Sequence, residues 1–221
     1  MTGAEDGARE CGRSMIEMLG VLAIIGVLSV GGIAGYSKAM EKFKVNKLVY
    51  DFNMLVRNML EYEASLLKIG ENDVNLLADT LYSLDMIPSN WKKLDSRYIE
   101  DSLGNWLNIY NRNEKSGYGE SWQGIVIDYM LGGMSADEQG NYVSGNFNSK
   151  LCFELFNTVI IPLHNVFKRG RMYPNVSYVY YGDAYCNGVT TRCLKDLTFS
   201  QINEMCNSCS GTVRCNITVN F

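Results

Sequence analysis

Residues 18–36 read MLGVLAIIGVLSVGGIAGY, nineteen positions without a charge. As an α-helix, at about 1.5 Å per residue, this stretch spans roughly 28 Å, close to the hydrocarbon thickness of a bilayer. A soluble core helix keeps a polar side opposite its apolar stripe, and this one has none. Its five glycines (Gly20, Gly26, Gly31, Gly32, Gly35) weaken a helix in water but suit one packed closely against other helices. The remainder of the chain is ordinary by composition. Its 221 residues are 47% apolar and 20% charged, which excludes a disordered chain, a collagen-like fibre and a polytopic membrane protein. The net charge of −4 argues against a general nucleic-acid binder, and one histidine, His164, against His-rich metal sites. Seven cysteines are an odd number, so an exported chain either keeps one thiol or loses one cysteine in processing.

Upstream, Met1–Gly12 is polar and carries Glu5, Asp6, Arg9 and Glu10, with no basic cluster of the secretory kind and no small-residue cleavage site after the apolar run. Gly12 is followed by Arg13-Ser14-Met15-Ile16-Glu17 and then by the apolar run. A carboxylate at the start of a membrane segment costs several kcal/mol unless a cation meets it. This arrangement of glycine, spacing, glutamate and apolar helix resembles the prepilin processing signal of type IV pilins and pseudopilins. The resemblance implies cleavage after Gly12 by a prepilin peptidase and a methylated new N-terminus at Arg13. It also implies a role for Glu17 in pairing with the terminal amine of a neighbouring subunit. Two features differ from the family pattern: the mature chain would begin with Arg13 rather than Phe or Met, and the leader is acidic. Lys38, Lys42, Lys44 and Lys47 follow the segment, so the positive-inside rule alone would put the C-terminal side in the cytoplasm. The resemblance and the cysteine usage point the other way, to an inner-membrane precursor with a cytoplasmic N-terminus and an extracellular or periplasmic filament after assembly.

Beyond Tyr36, Phe43, Val45, Leu48, Val49, Phe52, Leu55, Val56, Met59 and Leu60 keep a three/four spacing with charges mainly between them. The first proline is Pro88, and Gly70 offers a stop, which predicts one helix over about 14–68, roughly 80 Å long. Its first half, 13–36, is apolar all round. Its second half, 37–68, is amphipathic and suited to packing on a globular head over 69–221. In the head, the pattern predicts a helix over Asp73–Leu84, strands over Trp106–Tyr110 and Gly124–Leu131, and a helix from Ser149 ended or kinked by Pro162. It further predicts a strand at Val176–Tyr181, a capped helix from Thr198 toward Cys206 and a last strand over Thr212–Phe221. The expected fold is α+β: a long N-terminal helix on an antiparallel sheet.

The order of head elements also resembles type IVb pilins, through Asp85-Met86-Ile87-Pro88, Leu103-Gly104-Asn105-Trp106, the Leu151-Cys152 helix and Leu197–Ile202 leading to Cys206. If the leader leaves, Cys11 leaves with it, and Cys152, Cys186, Cys193, Cys206, Cys209 and Cys215 remain. An even set in the C-terminal third fits disulfides of an oxidising compartment, and six cysteines allow fifteen pairings. The pairs expected are Cys186–Cys193 and Cys209–Cys215 as local loops, with the family's link from a head helix to the C-terminal region implying Cys152–Cys206.

The resemblance implies a non-enzymatic structural subunit without cofactor or metal. Its partners are copies of itself, prepilin peptidase, the pilus or secretion machinery and the inner membrane, with no direct contact to nucleic acid. A pseudopilin of a type II secretion or DNA-uptake apparatus is the nearest alternative. Other classes are a membrane-anchored thiol–disulfide enzyme using the C-x-x-C of Cys206 and Cys209, and an anchored binding module. Zinc at the cysteines is disfavoured by the Cys186-x6-Cys193 spacing, wider than the usual two to four, and Asp137 and Glu138 in a Gly-rich loop read as a solvated turn rather than a calcium site.

Overall fold

The computed structural model describes residues 15–113, 119–136, 142–145, 147, 149–173, 178–209 and 214–221. Gly12 and Arg13, the glutamate-bearing turn 137–141, 176–177 of the strand expected over Val176–Tyr181 and 212–213 of the expected last strand lie outside the described residues. The chain divides into two compact units, Met1–Phe43 and Lys44–Phe221.

In the first unit the described residues are helical throughout, as part of α1 (Met15–Glu61), including Gly31 and Gly32. Their side chains are exposed almost without exception.

In the second unit α1 changes character. Val45, Leu48, Val49, Phe52, Leu55, Val56 and Met59 are buried, the stripe that the three/four spacing predicts. The helix ends at Glu61, earlier than expected. Tyr62 leaves helical geometry (φ −107°, ψ 13°), and a single turn, α2 (Glu63–Leu66), follows. Gly70, at φ 76°, then turns the chain, in a conformation that favours glycine.

The helix expected over Asp73–Leu84 is divided. Val74–Leu76 forms strand β1, and only α3 (Ala78–Ser83) is helical. Pairing decides the matter: β1 lies antiparallel to β4 (Trp106–Arg112), with Leu76 opposite Tyr110. Asn75 donates to the Asn72 carbonyl at 2.7 Å and to Asn111 Oδ1 at 2.8 Å. The long-range bond to Asn111 and the pairing with β4 outweigh the weak helical preference of the segment.

The remaining strands are β2 (Lys92–Lys93), β3 (Tyr98–Glu100), β5 (Gly124–Met130), a small pair β6 (Ser135–Ala136) and β7 (Tyr142–Val143), β8 (Arg169–Tyr173), β9 (Val179–Tyr181) and β10 (Asn216–Asn220). The main sheet runs β2-β3-β4-β5-β10-β8-β9, with β1 also on β4, and its strand pairs are antiparallel. The last strand in sequence is therefore central. Between β7 and β8 lie α4 (Ser149–Leu155) and a π-helical turn (Phe156–Ile160), which ends before Pro162. The helix α5 (Phe199–Asn207) starts as expected: Thr198 and Gln201 form a reciprocal capping box. The sequence pattern predicts none of β2, β3, β6, β7 and β8, and the last strand is shorter than Thr212–Phe221 among the described residues.

Register sorts the sheet into two faces. Leu107, Ile109, Ile125, Ile127, Tyr129, Ile217, Val219 and Met172 share the inner face and belong to one core with the buried stripe of α1, α4 and α5. Phe52 stacks on Tyr129 with ring centroids 5.4 Å apart. Gly170 sits in the row of Ile109, Ile127 and Val219, where a Cβ would come within 3.2 Å of both Ile160 and Leu194. That position admits no side chain without repacking.

The structure is thus α+β: a long N-terminal helix, apolar in its first part, and an antiparallel sheet with disulfides. Phe52, 1% exposed, is a central anchor, so Phe52→Ala should destabilise the second unit by about 3–5 kcal/mol. Tyr50→Ala, at a position 64% exposed, should stay within about 0.5 kcal/mol. Denaturant unfolding of the two variants measures the contrast.

Candidate functional site

Glu17 lies in the first turn of α1 and is exposed. Around and after it, thirteen large apolar side chains between Met15 and Tyr36 are each more than half exposed. This part of α1 holds an 18-residue window of mean hydropathy 2.2, of which none is buried within the protein. By length and composition, α1 can cross a membrane. Leaving such side chains in water forgoes about 1.5–3 kcal/mol for each. Such a surface suits an apolar environment.

The six cysteines form three disulfides: Cys152–Cys206, Cys186–Cys193 and Cys209–Cys215. These are the pairs set out from sequence. Cys152–Cys206 ties α4 to α5 within the core, both residues buried, across 54 residues of chain. The C-x-x-C does not close on itself, because its two cysteines serve different disulfides. Cys186–Cys193 frames a surface loop. There Asn187 Oδ1 accepts from the backbone N–H groups of Val189, Thr190 and Thr191, and Val189 is presented to solvent, 90% exposed. Among the described residues no group of three or more His, Cys, Asp or Glu side chains could hold a metal ion.

A buried polar knot holds the turn between β3 and β4. Asp101 accepts hydrogen bonds from the backbone N–H of Leu103 and Asn105, from Asn105 Nδ2, and a short one from the Tyr129 hydroxyl. Asn105 Oδ1 in turn accepts from Gly132 N–H at 2.7 Å. Burial pushes the Asp101 carboxyl above its usual value of 3.8, although all four hydrogen bonds pull it back. The Tyr129 hydroxyl is driven well above 10, first by burial and then by the Asp101 charge.

The outer face of the sheet was not singled out from sequence. It carries the row Tyr110, Val126, Asn220, Arg169, Tyr181 and the row Asn108, Asp128, Thr218, Arg171, Val179. Arg169 is 1% exposed, lies over the Trp122 ring, and donates through Nε to Asn220 Oδ1 at 2.8 Å. Burial, then Arg171 and Arg112, lower its pKa to about 9. Two arginines flanking a glycine at alternate positions, Arg169-Gly170-Arg171, were the available signal: in a strand they share one face.

No family model, no curated protein and no solved structure matches the chain.

Replacing Cys152 and Cys206 together by Ala should cost about 2–5 kcal/mol, since a long loop is released, and denaturant unfolding against the parent protein reads the loss. The raised pKa of Asp101 means that the folded state takes up the proton first. This group's contribution is full below 3.8 and is lost as pH rises through the raised folded-state value. The stability of the parent relative to Asp101→Asn should therefore fall from acid toward neutral pH, and a difference that grows with pH would contradict this sign.

Proposed function

We propose that the chain is the structural subunit of a type IV pilus-like filament. On this reading a prepilin peptidase cleaves after Gly12 and Arg13 becomes the methylated N-terminus. The apolar part of α1 first anchors the subunit in the inner membrane and then joins the filament core, with the second unit as the outward head. Glu17 meets the terminal ammonium of a neighbouring copy, the partner a carboxylate in an apolar core requires. The glycines of the segment let such helices approach closely.

The observation that carries this reading is the exposure of the apolar segment in a chain whose same helix, further on, is well packed in a disulfide-bonded α+β unit. A soluble core helix is mostly buried, and this segment is not. An anchor alone accounts for the hydropathy but leaves Glu17 and its spacing from Gly12 without a purpose. A pseudopilin of a secretion or DNA-uptake apparatus shares these features. The solvent-presented disulfide loop at Cys186–Cys193 suits an oxidising medium, which the heads of either filament meet. A thiol–disulfide enzyme is disfavoured because Cys206 is buried and bonded to Cys152.

Intact mass and N-terminal sequencing after expression with a prepilin peptidase should show a chain starting at methylated Arg13. Retention of Met1–Gly12 refutes the reading. In the same cells Glu17→Ala should abolish recovery of the subunit in sheared filaments while leaving the unfolding of the head unchanged.

A further inference from the structure

On the outer face of the sheet, Arg169 and Arg171 carry two positive charges that no ion pair among the described residues meets. Arg169 and Arg171 are i, i+2 neighbours on β8, so their side chains leave the same face about 6.6 Å apart along the strand. Arg169 is almost wholly buried, and its Nη1 has no hydrogen-bond partner. Arg171 is half-buried, and its Nε is buried and likewise unpartnered. Both guanidinium groups lie over Trp122, Arg169 against the ring and Arg171 at 5.5 Å from its centroid. Arg112 adds a third positive charge nearby, donating to the Tyr110 hydroxyl at 3.2 Å and the Trp122 carbonyl at 3.5 Å.

The one carboxylate in these two rows, Asp128, is already occupied. It accepts from Thr218 Oγ1 at 2.5 Å, Asn216 Nδ2 at 3.2 Å and the Tyr110 hydroxyl at 3.2 Å. Neither Arg169 nor Arg171 forms an ion pair among the described residues. Burying an unpaired guanidinium is costly, and natural structures retain such a group where an anion completes it.

We propose that this face is an oxyanion site, in which a phosphate-class tetrahedral anion is held between Arg169 and Arg171 with Trp122 as the wall. A carboxylate has two coplanar oxygens and satisfies one guanidinium fork. A tetrahedral anion offers oxygens to two forks at once, which suits cations that rise from alternate strand positions. The lowered pKa of Arg169 is in keeping with a cation held close to others and away from water, a condition that a bound dianion relieves. The site lies wholly within the second unit and does not depend on filament assembly.

The test uses the full chain in detergent micelles, in phosphate- and sulfate-free buffer at constant ionic strength. Titration with inorganic phosphate, followed by calorimetry and by the melting temperature, should give saturable one-to-one binding and stabilisation. Sodium chloride and acetate at matched ionic strength should give neither. Arg171→Met, at the half-buried position, should weaken phosphate binding at least tenfold, or about 1.4 kcal/mol. Arg169→Met should abolish binding, and its own loss of stability, from the Asn220 Oδ1 left without its donor, should not respond to added phosphate. Should Arg169→Met fail to fold, Arg171→Met alone decides. Arg97→Met, on the exposed turn before β3, should bind as the parent does. Absence of saturable binding by the parent, equal effects of acetate or chloride, or unchanged affinity in Arg171→Met overturns the proposal.

Discussion

The contact between the buried stripe of α1 and the inner face of the sheet is the constraint on which the second unit depends. Leu48, Phe52, Leu55, Val56 and Met59 meet a sheet whose inner row runs through Ile109, Ile127, Val219 and Gly170. Because the last strand, β10, lies between β5 and β8, the inner surface is complete only when the chain's final residues are in place. The rows also explain the polar knot at Asp101. Tyr129 points inward to stack on Phe52 while its hydroxyl reaches the turn before β4, so the core and that turn hold each other in register.

The long helix was legible in sequence from an uncharged run followed by a three/four periodicity, and the last strand from its alternation. Spacing of three and four set the buried face of α1, and the Thr198–Gln201 box marked α5 to the residue. The segment at Val74–Leu76 was not legible, because its state is decided by Asn75 and Asn111, residues 36 apart in the chain. Strand β8 was obscured for a related reason: arginine and glycine have low strand preference, and its strand character comes from pairing with β10 and β9. The candidate outer-face site was hidden with it. Only the register between strands brings Arg169 and Arg171 beside Trp122.

The two faces of the sheet follow different rules. The inner face is apolar and tolerates little change of volume, as the crowding at Gly170 illustrates. The outer face is polar yet also largely buried at Asn216, Thr218, Asn220 and Arg169. Its order therefore rests on hydrogen bonds with specific partners, which is costly wherever a partner is missing and directional wherever one is present.

The placement of the disulfides has a mechanical consequence. All three lie between Cys152 and Cys215, and α1 contains no cysteine. A pull applied along α1 therefore reaches the sheet through the connecting backbone and side-chain packing, with no covalent crosslink in between. Packed side chains along a helix share a shear load over many individually small contacts. The crosslinked C-terminal third, by contrast, keeps its connectivity under load. Within the second unit, α1 is thus held by packing and the C-terminal third by packing and covalent crosslinks together.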